Sequence, residues 1–150
     1  MKKNYSIATV FIWIGFVGAI SFMEAWLKFR APGVTLPIGL GIGRLVFAAL
    51  NKVEWTLLIL FLLFQYPFKT ISRAAIRAFL CAGIVLIVQT VWLLPALDAR
   101  AELYIIGASV PSSNLHLYYV AAEGIKMISL IFLGSSVLLH STKTKSMATV

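Results

Sequence analysis

Charge is scarce in this chain. Asp, Glu, Lys and Arg make up 12% of its 150 residues, about half the share usual in a soluble domain. Acidic residues are rarer still, five against thirteen Lys and Arg. Cysteine occurs once, at Cys81 inside AFLCAGIVL, so no intrachain disulfide forms and a cysteine-based metal site is excluded. Cys81 reads as a small buried hydrophobe. Histidine occurs twice, at His116 and His140. No H-E-x-x-H, nucleophile elbow or paired histidine ligand set exists, and the two histidines fall at opposite ends of one apolar run, too far apart to share a metal or haem. The chain is therefore expected to hold no metal and no cofactor.

What is abundant is apolar surface. Hydrophobic residues make up 61% and the mean hydropathy is +0.95. A chain of this size buries only about 70% of the surface it exposes when unfolded. A soluble domain is excluded, and so is a disordered tail, which needs low hydrophobicity. The formal charge of +8 would suggest nucleic acid if the basic residues shared one patch. They sit instead at the ends of apolar runs, where positive charge sets membrane orientation. Nucleic acid is not an expected partner.

Four stretches are long enough to cross roughly 30 Å of hydrocarbon, which takes about 20 apolar residues. They run from about Ser6 to Leu27, from near Val46 to Tyr66 before Pro67, from about Arg77 to Leu94 where Pro95 stops it, and from His116 to Leu139. The first exceeds a signal-peptide core and ends in Glu24, Trp26 and Lys28, so it reads as retained. The fold class is all-α, a polytopic four-transmembrane-helix bundle forming a single domain over residues 1–150. Lys2, Lys3, Lys69, Arg73, Arg77, Lys143 and Lys145 gather on one side. Lys28, Arg30 and Arg100 face the other, offset by Asp98 and Glu102. The positive side is expected in the cytoplasm, placing both termini there in a multi-pass cell-membrane protein.

The first outer loop, RAPGVTLPIGLGIGR, has two prolines and four glycines. A helix from Ile38 to Tyr66 would be about 43 Å long, so a turn or re-entrant piece is expected around Gly39, Gly41 and Gly43. Gly39 and Gly43 also form a G-x-x-x-G, the spacing that lets helices pack closely. No strand precedes these glycines, so they are not a nucleotide fingerprint.

The informative residues are ionisable ones inside the spans, because a charge at the bilayer centre costs ~2.5–3.5 kcal/mol even on a mild scale. Counted from the cytoplasmic ends, Glu54 lies about 18 Å deep and Lys126 about 20 Å, matching heights on different helices. Asn51 and Glu123 fall a turn higher, with Lys52 between. Asn51 and Glu54 are three apart, as are Glu123 and Lys126, so each pair projects to one side. Glu24, Lys28, Arg44, Asp98, Arg100 and His116 gather at the outer interface. Gln89 lies in the outer half of the third span, Gln65 at the cytoplasmic interface, and no ionisable group in the inner half. Trp13, Trp26, Trp55 and Trp92 read as belt or packing residues. One of Tyr118 and Tyr119 must face inward.

WIGFVGAISFMEAWLKFRAP, LVFAALNKVE, WLLPALDAR and HLYYVAAEG together resemble the four-helix membrane family typified by transmembrane protein 205. That resemblance implies a four-helix membrane domain and no reaction. Locally, RLVFAALNKVEW is similar to the membrane-associated eicosanoid and glutathione metabolism proteins, whose second helix carries an Arg-rich segment leading to N-x-x-E, here Arg44, Asn51 and Glu54. Phe47 stands where that family has a second Arg, and its Arg-Tyr motif is only echoed by Arg100 and Tyr104. Its site also faces the cytoplasm, whereas this one should face out.

Three functions stay open. In the first, the polar outer half is a cavity for transport or binding of a small ion or polar ligand, with Glu54 or Glu123 carrying a proton. The second is an enzyme of the glutathione or lipid-modifying type, and the third an accessory subunit of a larger membrane complex. The pattern favours a non-enzyme. Expected partners are the lipid bilayer, the small ligand, and a homo-oligomer or larger complex. Against all three stands a plainer reading, in which Glu54, Lys126, Glu123 and Lys52 neutralise one another and only hold helix register.

Overall fold

The computed structural model describes the backbone of residues 2–68 and 71–147 and the side chains of residues 4–68 and 71–140. Lys69, and the side chains of Lys2, Lys3, Lys143 and Lys145, on which the orientation argument leans, lie outside the described residues. Four long helices account for nearly all of it: α1 over residues 2–30, α2 (Leu36–Gln65), α3 (Arg73–Ile105) and α4 (Leu115–Met147). All four are long and apolar enough to cross a membrane.

Neither α1 nor α3 is a regular α-helix throughout. In α1 the segment Gly18–Glu24 widens into a π-helix, and its last turn, Lys28–Arg30, tightens to 3₁₀. In α3 the π segment is Gln89–Leu93. It lies just before Pro95, the residue expected to stop the third span. Proline lacks the N–H that would bond four residues back, and its ring crowds that carbonyl. The wider π turn lifts the backbone off the clash, and α3 runs on to Ile105. The helix also begins at Arg73, earlier than Arg77, because the Ser72 hydroxyl accepts the Ala75 N–H at 3.1 Å. At its far end Gly107 adopts φ +75°. The Ala108 N–H then reaches the Leu103 carbonyl at 2.9 Å and closes the helix.

The expected break at Gly39, Gly41 and Gly43 is absent, since α2 is helical for 30 residues from Leu36. The turn lies earlier, over residues 31–35, where Gly33 takes φ +80°. Pro37 sits in the first turn of α2, where its missing N–H costs nothing. The glycines serve packing. A Cβ on Gly39 would lie 2.1 Å from the Phe29 ring, and one on Gly43 would lie 3.1 Å from Lys28 Nζ. The end of α1 thus lies in the groove that the G-x-x-x-G opens. Helix α2 stops at Gln65 because Tyr66, preceding Pro67, is held extended at ψ 134°.

Helix α1 packs against α2 and α4, α4 against α3, and the last part of α3 against α2, closing a ring of neighbours. The loops 31–35 and 106–114 share one end, the loop end. The 66–72 connection marks the other, the terminal end. The apolar core lies toward the terminal end, built from Val10, Val17, Phe61, Phe79, Leu86, Leu130 and Leu133. Outward faces are apolar too: Leu45, Val91 and Ile128 are 70–75% exposed. Such surface suits a hydrocarbon surround, since a soluble monomer keeps large apolar patches small.

Candidate functional site

Midway along the bundle, where α1, α2, α3 and α4 face one another, the structure brings together Trp13, Glu54, Gln89, Glu123 and Lys126. Lys126 is fully buried, and Glu54, Gln89 and Glu123 are each no more than 2% exposed. The Lys126 ammonium has three N–H donors and meets three acceptors: Glu54 Oε1 at 2.6 Å, Gln89 Oε1 at 2.7 Å and Glu123 Oε1 at 3.3 Å. Gln89 Nε2 donates back to Glu123 Oε1 at 3.1 Å, and Trp13 Nε1 donates to Glu54 Oε1 at 2.8 Å. Each helix therefore contributes to one hydrogen-bonded unit. With all three ionised, two carboxylates against one ammonium leave a formal charge of −1.

The depth count paired Glu54 with Lys126, and they touch. It also grouped Lys52 with them, and that grouping does not hold. One helical step from Asn51, Lys52 turns away from the cluster, is exposed, and has no ion pair among the described residues. Asn51 stands a turn closer to the loop end, where its Nδ2 donates to Thr90 Oγ1 at 2.9 Å. Trp55 Nε1 donates to the same hydroxyl at 3.0 Å.

Of the two readings for Trp13, belt or packing, packing holds: it is completely buried in the core, and it also donates to Glu54. Its depth was legible: about 16 Å along α1 from Lys2, close to that of Glu54. What masked it was its type, since indole is expected at interfaces. Tyr119 is the tyrosine that turns inward, 5% exposed against 50% for Tyr118. Gln65, the last residue of α2, is buried between helices at the terminal end, and Ser6 donates to it at 2.6 Å.

Toward the loop end the charges pair in two separate groups. Lys28 and Glu24 lie 3.1 Å apart on α1. Arg44 of α2 holds Asp98 through Nε at 2.5 Å and Nη2 at 3.1 Å, and also bonds Glu102. Arg100 leaves this group and donates to the Pro111 carbonyl of the second loop. His116 is exposed at the start of α4. Arg44, Asn51 and Glu54, the three residues that the glutathione-family resemblance singles out, are thus engaged with Asp98 and Glu102, with Thr90, and with Lys126 respectively.

Between these two levels lies a cavity of about 580 Å³. Its walls are mostly apolar, with Phe29, Phe47, Ala48, Leu94 and Leu97 among them, and its polar lining includes Lys28, Arg44, Asn51, Lys52, Asp98 and His116. A second cavity of about 190 Å³ adjoins it and is bordered by Ser21, Trp26 and Glu123. Phe47, His116 and Tyr119 line both, and the Phe47 and Tyr119 rings meet edge to face at 5.3 Å. Among the described residues no three of His, Cys, Asp and Glu are grouped to hold a metal ion. No family model matches this chain, and neither the curated proteins nor the solved structures hold a match to it.

Proposed function

We propose that this chain is an integral membrane protein that binds a small polar ligand, for transport or sensing, in the 580 Å³ cavity at its loop end. The observation that carries the reading is that cavity: its volume lies within the range that takes small molecules, and apolar walls with a few placed polar groups are how such sites bind. Lys52, exposed and without an ion pair among the described residues, biases the site toward an anionic group. Arg44 and Lys28 spend their charge on carboxylates nearby. In this reading the loop end faces outward and the termini face the cytoplasm, following the placement of Lys and Arg.

Substituted-cysteine labelling on intact cells, in a Cys81→Ser background, tests both parts. Cysteine at Ser112 or Ser113 should react with a membrane-impermeant thiol reagent, and cysteine at Thr142 should not. Ala48→Cys, on the cavity wall, should also react, and faster with an anionic reagent than with a cationic one. Ile59→Cys, on the outward apolar face, should stay unreactive. Small carboxylates, phosphates and sulfonates offered in turn should include one class that slows labelling at position 48. Reversed labelling of the loops would invert the orientation. A cysteine at 48 that nothing reaches, or that no solute protects, would remove the cavity as the binding site.

A further inference from the structure

We infer that the smaller cavity is a site for one positive charge, a proton or a monovalent metal cation, taken up at Glu123 Oε2. The inference deepens the reading above by naming what the deep end of the same polar region binds.

Bond counting points there first. Every N–H of the Lys126 ammonium is matched by an acceptor, and Glu123 Oε1 accepts from both Lys126 and Gln89. Glu123 Oε2 has no hydrogen-bond partner among the described residues, although the side chain is 1% exposed. Leaving a buried acceptor unsatisfied is costly, and more so for a charged group. Charge counting leads to the same atom. The cluster is one positive charge short of neutrality, in an interior where an uncompensated charge is heavily penalised.

The surroundings have the composition such a site needs. The cavity bordered by Glu123 also presents the Ser21 hydroxyl, the other buried side-chain oxygen without a partner among the described residues. Ser21 lies on the π segment of α1. The Tyr119 phenol lines the same space, close to both Glu123 and Ser21 but without hydrogen-bond geometry to Glu123 Oε2 or the Ser21 hydroxyl. A volume of about 190 Å³ accommodates a small ion with several waters, each of which takes about 30 Å³ in the liquid. His116, which lines both cavities, marks the route toward the loop end.

The titratable and charged groups around Glu123 are few. Helix α4 offers Lys126, Tyr119 and His116, and α2 offers Glu54. Helix α3 presents Gln89, which does not titrate, and α1 presents Ser21 and Trp13. Farther along α1, Glu24 and Lys28 neutralise each other. The two ammonium groups among them, Lys126 and Lys28, are already paired with carboxylates.

The test uses the full chain purified in nanodiscs, with Glu123→Gln and Ser21→Ala as variants. Glu123→Gln keeps the shape of the side chain and leaves Lys126 facing Glu54, so the variant should fold. If the charge is a proton, infrared difference spectra should contain the C=O stretch of a protonated carboxyl in the parent. That band should vanish in Glu123→Gln and change frequency in Ser21→Ala. If it is a metal cation, NaCl or KCl replacing choline chloride at constant ionic strength should raise Tm by about 5 °C or more. That rise should be abolished in Glu123→Gln and reduced in Ser21→Ala. No carboxyl band together with an unchanged Tm would overturn the inference. So would either signal persisting in Glu123→Gln, which would assign it to Glu54. These readouts are separate from cysteine labelling at position 48: protection there without a charge site here, or the reverse, identifies which of the two readings has failed.

Discussion

Lys126→Met is expected to cost about 3–5 kcal/mol, the usual loss when one partner of a buried ion pair is removed. The reason lies in what the lysine holds apart. Its ammonium lies 2.6 Å from Glu54 and 3.3 Å from Glu123, so its removal leaves two carboxylates facing one another at no more than 2% exposure. Thermal unfolding in detergent should record the loss as a drop in Tm on the order of 10 °C. Glu54→Gln should also destabilise, because it removes the closest acid from the ammonium. Combining Glu54→Gln with Lys126→Met should recover part of the loss, since it removes one of the two facing carboxylates, and adding Glu123→Gln should recover most of it, since no buried charge is then left unpaired. Glu123→Gln alone should cost less than about 1 kcal/mol, because the Glu54–Lys126 pair survives it. Strictly additive losses at 54 and 126 would show that the two side chains are not energetically coupled. Recovered stability with a lost cellular phenotype would assign the pair a working role, whereas recovery of both would make it a fastener.

The second large effect concerns Trp13. It is completely buried, packs with the apolar core, and donates to Glu54 Oε1 at 2.8 Å. Trp13→Ala should cost about 3–5 kcal/mol through the cavity it leaves. Trp13→Phe preserves most of the ring and removes the N–H, and should cost about 1.5–3 kcal/mol, the worth of a hydrogen bond to a charged group. That smaller cost should shrink when Glu54 is already glutamine, because a neutral acceptor gains less from the same donor. A double-mutant cycle by thermal denaturation measures the coupling. Trp92→Ala, at a position 54% exposed on the outward surface, is the control and should move stability by no more than about 0.5 kcal/mol. Equal losses at 13 and 92 would mean that the indole of Trp13 serves as bulk apolar surface only.

Much of this architecture is legible in one dimension, because a membrane-sized helix is specified by a run of apolar residues and its end by local chemistry. The four runs appear as four helices, and Pro67 ends α2 within a residue of where the string places it. Helical rise is constant, so depth can be counted, and counting put Glu54 and Lys126 at one level. Orientation about a helix axis is less forgiving. Lys52 has the right depth and the wrong direction, because each residue turns the helix by about 100°. Gln89 and Trp13 completed the cluster from two other helices, and neither residue type announces such a role.

Glycine and proline misled for a physical reason. Their local cost in a helix, about 1 kcal/mol for glycine and 3 for proline, argues for a break at Gly39 and at Pro95. In the fold that cost is offset by contacts that no single helix contains. The Phe29 ring fits against Gly39 because there is no Cβ, and the π turn at Gln89–Leu93 lets α3 continue past Pro95 while burying Gln89 beside Glu123 and Lys126. Composition and the spacing of apolar runs, which depend on each residue's own transfer energy, determined the number of helices and the levels of the buried charges. Which groups meet, which carboxylate oxygen lacks a partner, and where the two cavities open depended on how four helices pack, because those are properties of distances between segments far apart in the chain.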